Sequence, residues 1–90
     1  MTELRLRDLK GLGVKSEEML AQVGVDTVAD FMAADPFNIY KKLKVKIPST
    51  SLNFLYAMIG AQENRHWKEV KDELKTGILL RLEKMGIAPK

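Results

Sequence analysis

The sequence predicts an all-α domain, and three observations support this prediction. Apolar residues recur at helical spacing along nearly the whole chain, whereas no useful stretch alternates apolar and polar residues as a half-buried strand would. Glycines and prolines interrupt the pattern at separate positions, which divides it into about five helices. The chain has 90 residues, 46% of them hydrophobic, and that suffices for one core. We therefore expect a single domain, residues 1–90, folded as a compact bundle.

The first two predicted helices lie on either side of a glycine pair. A short helix should cover about residues 2–10 and end at Gly11. A second should run over about residues 14–23 and end before Gly24, because glycine adopts a left-handed backbone without a Cβ clash. The apolar residues expected to be buried are Leu4, Leu6 and Leu9 in the first helix, and Val14, Met19, Leu20 and Val23 in the second. This start resembles a helix-hairpin-helix motif.

The next two helices are marked by their capping residues. Asp26 or Thr27 can cap a helix over about residues 28–34. Asp35-Pro36 reads as a cap followed by a proline at the first helical position, and the helix it begins should reach about Leu43. The side chains expected to face the core are Val28, Phe31 and Met32 in the former, and Phe37, Tyr40 and Leu43 in the latter. Lys41, Lys42 and Lys44 should face outward.

Two further helices complete the bundle. Residues 52–61 are apolar nearly all round, which is typical of a helix at the centre of a bundle. An irregular stretch over residues 44–51 precedes it, where Ser49 or Ser51 can serve as the cap. A last helix should cover about residues 68–85. Its apolar stripe consists of Val70, Leu74, Ile78, Leu82 and Met85.

Charge is distributed unevenly along the chain. The net charge of +3, from 15 basic and 12 acidic residues, is too small an excess to identify a partner. Residues 1–35 carry four basic and seven acidic side chains, whereas the rest of the chain is basic. The half that contains the glycine pair is therefore the acidic half.

Composition also excludes several classes of protein. The chain contains no cysteine, so it has neither a disulfide framework nor a thiol nucleophile. Its N-terminus is charged, and no apolar run approaches the roughly 18 residues of a membrane span. These features predict a cytoplasmic protein that is neither secreted nor inserted in a membrane.

The glycine pair has a clear use if the chain binds double-stranded DNA. The amides after Gly11 and Gly13 should face outward at a helix N-terminus, where partial positive charge favours a phosphate oxygen. Lys10 and Lys15 can add charge-assisted hydrogen bonds. Such contacts position a protein on DNA without reading its sequence. Lys10, Gly11, Gly13 and Lys15 are therefore candidate nucleic-acid-binding residues.

The same segment also fits a purely structural interpretation. Two glycines around one apolar residue make a tight connector between packed helices, as in hairpins that contact proteins. Glu17 stands where a DNA-binding hairpin favours a small residue, and Glu18 adds a second carboxylate in the same turn. Both suit the helix dipole, but both repel phosphate. Phosphate binding and protein contact therefore remain alternatives.

A lysine cluster supplies the other candidates for phosphate contact. It consists of Lys41, Lys42, Lys44 and Lys46, four of the six residues in 41–46. Cations near a helix C-terminus are also favourable in themselves, so the cluster does not require a partner. If DNA binds, the lysine cluster and the glycine hairpin should lie on one side of the domain.

The segment Arg65-His66-Trp67 is the only place for a catalytic histidine. No serine or cysteine nucleophile with a supporting acid surrounds it in the sequence, and a single histidine is a poor start for a metal site. We therefore predict no enzymatic activity, metal or cofactor. Trp67 should anchor the last helix against the central one, while Arg65 and His66 make local hydrogen bonds or face solvent.

Several short blocks occur in a fixed order along the chain: residues 6–17, Met19-Leu20, Val23-Gly24-Val25, Ser51-Leu52-Asn53, Leu55-Tyr56-Ala57, Gly60-Ala61 and Arg65-His66-Trp67. Together they resemble one known family, the C-terminal domain of TfoX (Sxy) proteins, over about residues 4–82. These proteins are bacterial regulators of competence for DNA uptake. The resemblance implies an all-helical domain and a role in natural transformation, in which full-length members act together with the cyclic-AMP receptor protein.

Full-length members resemble one another in carrying an α+β domain ahead of this one, and the chain has no such domain. We expect either a freestanding relative or an excised half. The leading hypothesis is a non-enzymatic accessory or regulator of competence that contacts DNA or a DNA-bound regulator. The alternative is a protein-interaction module that pairs with another subunit, for instance a separately encoded TfoX N-terminal domain, through an apolar face.

Overall fold

A computed structural model describes residues 5–87 and confirms the all-α prediction. Within these residues there are five α-helices and no strand. The helices are α1 (Val14–Ala21), α2 (Val28–Ala33), α3 (Pro36–Lys46), α4 (Leu52–Glu63) and α5 (Trp67–Lys84). No helix in this part of the chain is long and apolar enough to cross a membrane.

Helix α4 is the centre of the bundle, as its sequence predicts. It packs most extensively against α5 and also contacts α3, while α1 contacts α3. Six of its twelve residues are buried, and they lie on several sides of the helix rather than on one. The bulkiest fully buried side chains of the core include Tyr56 from α4, Tyr40 from α3 and Phe31 from α2.

The predicted caps of α2 and α3 are confirmed. The hydroxyl of Thr27 accepts a hydrogen bond from the Asp30 amide at 3.0 Å. The carboxylate of Asp35 accepts one from the Phe37 amide at 2.9 Å, and Pro36 occupies the first turn, where its missing N–H costs nothing. Each cap satisfies an amide that has no partner inside its helix.

The corner between α4 and α5 depends on Gly60. A Cβ at this position would lie 2.6 Å from the carbonyl oxygen of Arg65, so only glycine lets the chain return this closely. The Arg65 amide donates to the Gly60 carbonyl at 2.7 Å, and Asn64 turns the chain with a left-handed backbone at φ 55°. The two helices are thereby joined by a tight three-residue connection.

Several predicted boundaries are wrong at the ends of elements. In place of a first helix over residues 2–10, the described residues contain a three-residue 3-10 turn, Leu6–Asp8; Thr2 to Leu4 lie outside them. Helix α3 continues to Lys46, because nothing in residues 44–46 breaks a helix. Helix α4 continues to Glu63, where Asn64 ends it.

Three side chains predicted to be buried are exposed. Val14 is 50% exposed, because Leu12 fills the core at this end of the domain and Val14 only begins α1. Met32 is 48% exposed, since α2 is six residues long and its buried side is occupied by Phe31. Leu74, 37% exposed, borders an open groove beside α5.

Candidate nucleic-acid interface

The glycine hairpin is a tight turn between the 3-10 turn and α1. The Leu12 amide donates to the Leu9 carbonyl at 3.1 Å, and Gly11 has a left-handed backbone at φ 86°. Between the glycines, the Leu12 side chain is buried in the core at 8% exposure. The hairpin is therefore anchored by its apolar residue and leaves its glycine backbone at the surface.

Gly11 has a structural role. A Cβ at this position would lie 3.7 Å from the carbonyl oxygen of Ala57, so the turn passes directly over α4. Its positive φ also disfavours other residues. Both observations account for this glycine without a ligand.

Gly13 differs from Gly11 in every one of these respects. Its backbone is extended (φ −134°, ψ −170°), a conformation open to any residue, and a Cβ here would meet no atom within 4 Å. It is the N-cap of α1, yet no side chain caps that helix. The first hydrogen bond of the helix runs from the Glu17 amide to the Gly13 carbonyl at 3.0 Å. The amides of residues 14–16 therefore have no acceptor within the helix.

The Glu17 carboxylate is engaged by Arg7. It accepts hydrogen bonds from the Arg7 guanidinium at 2.7 and 3.2 Å and from the Arg7 backbone amide at 3.2 Å. The hydrogen bonds from Arg7 lower the pKa of Glu17 below its ordinary value. The expected repulsion of phosphate by Glu17 is therefore offset by Arg7, and the pair ties the 3-10 turn to α1.

Lys15 and Glu18 line a groove on the other side of α1. We call it the α1 groove; it has a volume of about 460 Å³. Its far wall is formed by the loop between α3 and α4, residues 47–51, and by Phe54. Lys15 thus brings a cation, and Glu18 an anion, to a groove whose opposite wall carries the hydroxyl groups of residues 49–51.

The lysine cluster is divided by the structure. Lys41 and Lys42 are exposed on α3, as predicted, and Lys46 is exposed as well. Lys44 was predicted to face outward but is half-buried, and its ammonium group donates to the carbonyl oxygens of Pro48 at 2.8 Å and Thr50 at 3.2 Å. It therefore holds the 47–51 loop in place.

The structure brings together only part of the predicted site. Lys15 meets the loop that follows the lysine cluster, but none of the four lysines of that cluster lines the α1 groove. Lys10 is exposed next to Gly11 in the hairpin turn. The hairpin with Lys10, Gly13 and Lys15 is consequently the more coherent candidate.

Arg65 and His66 make local contacts, as predicted. The Nδ1 atom of His66 accepts a hydrogen bond from the Lys68 amide at 3.1 Å and so caps α5. Arg65 pairs with three glutamates on α4 and α5, namely Glu63, Glu69 and Glu73. In the described part of the chain, no three histidine or acidic side chains are grouped to hold a metal ion.

Comparison with known proteins identifies one family. The model of the family described as TfoX C-terminal domain matches residues 2–82. Comparisons with curated proteins and with solved structures gave no significant match. The matched range covers most of the chain and includes the hairpin, the α1 groove and the α4–α5 corner. The chain therefore belongs to the TfoX C-terminal domain family.

Proposed function

We propose that this chain is a non-enzymatic binding module of natural competence and that it acts on DNA or on a DNA-bound regulator. Membership of the TfoX C-terminal domain family supports the link to competence. A cytoplasmic location follows from this proposal, because DNA and its regulators are there. The contact that we assign to DNA is the glycine hairpin at the start of α1.

The observation that carries this assignment is Gly13. Serine or aspartate would cap α1 and stabilise it, and neither strain nor crowding excludes them here. Glycine instead leaves the amides of residues 14–16 open at the positive end of the helix dipole. These amides can donate to a phosphate oxygen, and Lys15 can add a charge-assisted hydrogen bond beside them.

The remaining lysines contribute differently. Lys10 flanks the hairpin and can contact a neighbouring phosphate. Lys41, Lys42 and Lys46 lie on another helix, and we assign them a long-range attraction that salt screens. Lys44 is engaged with the 47–51 loop and has no part in this role. Binding of this kind follows the DNA backbone and has no base preference.

Substitution at Gly13 separates helix stability from DNA binding. We expect Gly13→Asp to stabilise α1 by a few tenths of a kcal/mol and to abolish binding, because its carboxylate covers the amides. Gly13→Ser, the matched control, caps the helix without a charge and should weaken binding less. Fluorescence anisotropy with a duplex at low salt, together with urea unfolding, measures both properties.

Substitution at Lys15 tests the cation. Lys15→Glu should weaken duplex binding and lower the slope of log affinity against log salt by about 1 or more. Lys75→Glu makes the same charge change at an exposed position on α5 and should leave the slope unchanged. If wild-type anisotropy stays flat at high protein concentration, or if both variants behave alike, the hairpin does not bind DNA.

The alternative proposal is a protein-interaction module that pairs with another subunit or a separately encoded TfoX N-terminal domain. It is favoured by exposed apolar side chains on α5, where Leu80 is 54% and Leu74 is 37% exposed. Under this proposal, duplex DNA does not bind, and a defined protein partner is co-purified even after nuclease treatment. The two proposals therefore differ in whether binding survives removal of nucleic acid.

A further inference from the structure

A second groove lies beside α5, where Leu74 is exposed. We call it the α5 groove; it has a volume of about 380 Å³ and runs between the start of α3, α4 and α5. Phe37, Ile59 and Ile78 give it an apolar floor, and Leu74 stands exposed at its edge. An apolar surface of this kind, open to solvent, is typical of a contact site.

Gly77 makes this groove wide. It lies in the middle of the 18-residue helix α5, where glycine costs about 1 kcal/mol relative to alanine. A Cβ at Gly77 would meet no atom within 4 Å, so nothing in the domain itself requires glycine there. What glycine provides is room for a side chain or a backbone that approaches from outside.

The rim of the α5 groove is acidic. At one end Arg81 stacks over the Phe37 ring at 4.1 Å and pairs with Asp35 at 2.5 Å. At the other end Glu63 and Glu73 both pair with Arg65, and their side chains remain 46% and 64% exposed. Three carboxylates thus line the groove and are paired with two guanidinium groups, which leaves an excess of negative charge there in a chain whose net charge is positive.

The complementary surface is on the same chain. Helix α3 has no acidic residue, and its exposed face carries Lys41, Lys42 and Lys46 around Val45. These four residues share one side of the helix, because positions three and four apart are neighbours. Val45 is 79% exposed, the highest value among the exposed large hydrophobic side chains of the described chain. We call it the α3 face.

We propose that the α3 face of one copy docks into the α5 groove of a second copy. Val45 would enter the groove beside Gly77, while the lysines around it meet the carboxylates of Glu63 and Glu73. A chain cannot make this contact with itself: Phe37 lines the groove and Val45 follows eight residues later on the same rigid helix, about 12 Å away. The occupant must therefore come from another molecule.

This contact is small, and its strength should reflect that. One helix face in one groove buries less than a standard interface, so we expect association at micromolar to millimolar concentration. Because lysines and carboxylates meet across it, the association should weaken as salt is added. Sedimentation equilibrium of the full chain without DNA measures both features, and the result does not depend on the proposed DNA contact.

A bulky side chain placed in the α5 groove tests the groove's part in the proposed contact. Gly77→Leu places a side chain in the open space without disturbing the core, and we expect it to weaken self-association at least about tenfold. Thr76→Leu introduces the same residue at the exposed neighbouring position, outside the groove lining, and should leave association unchanged. Thermal unfolding shows whether each variant is folded; Gly77→Leu should be at least as stable as wild type.

The α3 face is tested by Val45→Glu, with Met32→Glu as the control. Both replace an exposed hydrophobic side chain by a carboxylate, but only Val45 belongs to the α3 face. We expect Val45→Glu to be monomeric where wild type associates, and Met32→Glu to behave as wild type. Equal effects of Val45→Glu and Met32→Glu would overturn the proposal.

Mixing the two defective variants is the decisive experiment. Gly77→Leu retains an intact α3 face and Val45→Glu retains an intact groove, so an equimolar mixture should recover one contact and form a heterodimer. Neither variant alone should do so. A wild-type chain that stays monomeric at millimolar concentration, or a mixture that stays monomeric while wild type associates, would contradict the proposed contact.

Discussion

At the scale of single residues, the tyrosine pair in the core is the most unusual feature. Tyr40 and Tyr56 are both almost completely buried. The hydroxyl of Tyr56 has no hydrogen-bond partner among the described residues. A buried hydroxyl without a partner loses its hydration and gains nothing in return.

We therefore expect Tyr56→Phe to be neutral or stabilising. Removing the hydroxyl abolishes its desolvation cost, and the ring still fills its place, so the free energy of unfolding should stay the same or rise by up to about 1 kcal/mol. Urea unfolding measures it. Leu55→Ala, a fully buried aliphatic neighbour, should by contrast cost about 2–5 kcal/mol. A loss above about 1 kcal/mol in Tyr56→Phe would reveal a partner for the hydroxyl.

At the scale of elements, the hairpin and α1 are held together by the pair Arg7 and Glu17. These residues are ten positions apart, so the pair spans two elements rather than one helix face. The pair is strong because the Glu17 carboxylate accepts hydrogen bonds from both the guanidinium and the backbone amide of Arg7. The orientation of the candidate DNA-binding turn depends on this contact.

The pH dependence of this pair has a definite sign. Arg7 lowers the pKa of Glu17 in the folded state, so the pair stabilises the fold above the unfolded-state pKa of about 4.3 and loses this contribution as pH falls through the folded-state value. The difference in unfolding free energy between wild type and Glu17→Gln should thus be constant near neutral pH and shrink in acid.

Glu18→Gln is the matched control for that measurement. It removes a carboxylate from the same turn of α1 without breaking the hydrogen bonds to Arg7. Its difference from wild type should be smaller near neutral pH. If the two difference curves coincide across the acid range, the Arg7 contact does not stabilise the hairpin.

At the scale of the whole molecule, the core itself responds to alkaline pH. Burial raises the pKa of Tyr40 and of Tyr56, and Tyr56 raises that of Tyr40 further. The folded state therefore keeps these protons longer than the unfolded chain does. Their contribution is fully present below the unfolded pKa of about 10 and is lost as pH rises through the folded values.

We expect the domain to unfold more readily above pH about 10 for this reason. Because lysines also titrate there, the informative quantity is the difference between wild type and the double variant Tyr40→Phe with Tyr56→Phe. That difference should move in favour of the double variant as pH rises. Parallel stability curves would show that the tyrosines do not couple ionisation to folding.

The fold class and the caps could be predicted because they depend on local sequence. Thr27 and Asp35 each cap a helix that begins at the next residue. The burial of Val14 and Met32 was predicted wrongly. Helical spacing defines which residues share a face, but not whether that face packs against another helix or faces solvent. The fold-back of Lys44 onto Pro48 depends on the conformation of a loop, which spacing does not encode.

The candidate site was predictable only in part. The two glycines predict a turn, but they look alike in the sequence. The structure distinguishes them, because Gly11 passes over Ala57 whereas a Cβ at Gly13 would meet no atom within 4 Å. The pairing of Glu17 with Arg7 joins residues at no helical spacing and left no signal in the sequence. The α5 groove is formed by three helices, so it exists only after the bundle is assembled.

The corner at Gly60 has a consequence for the order in which the chain folds. It joins the two helices that share the largest contact of the bundle, and only three residues separate them. Closing such a short loop costs little entropy, so α4 and α5 can pair before the distant N-terminal hairpin arrives. We therefore expect the hairpin, which packs over Ala57, to dock onto an α4 surface that has already formed.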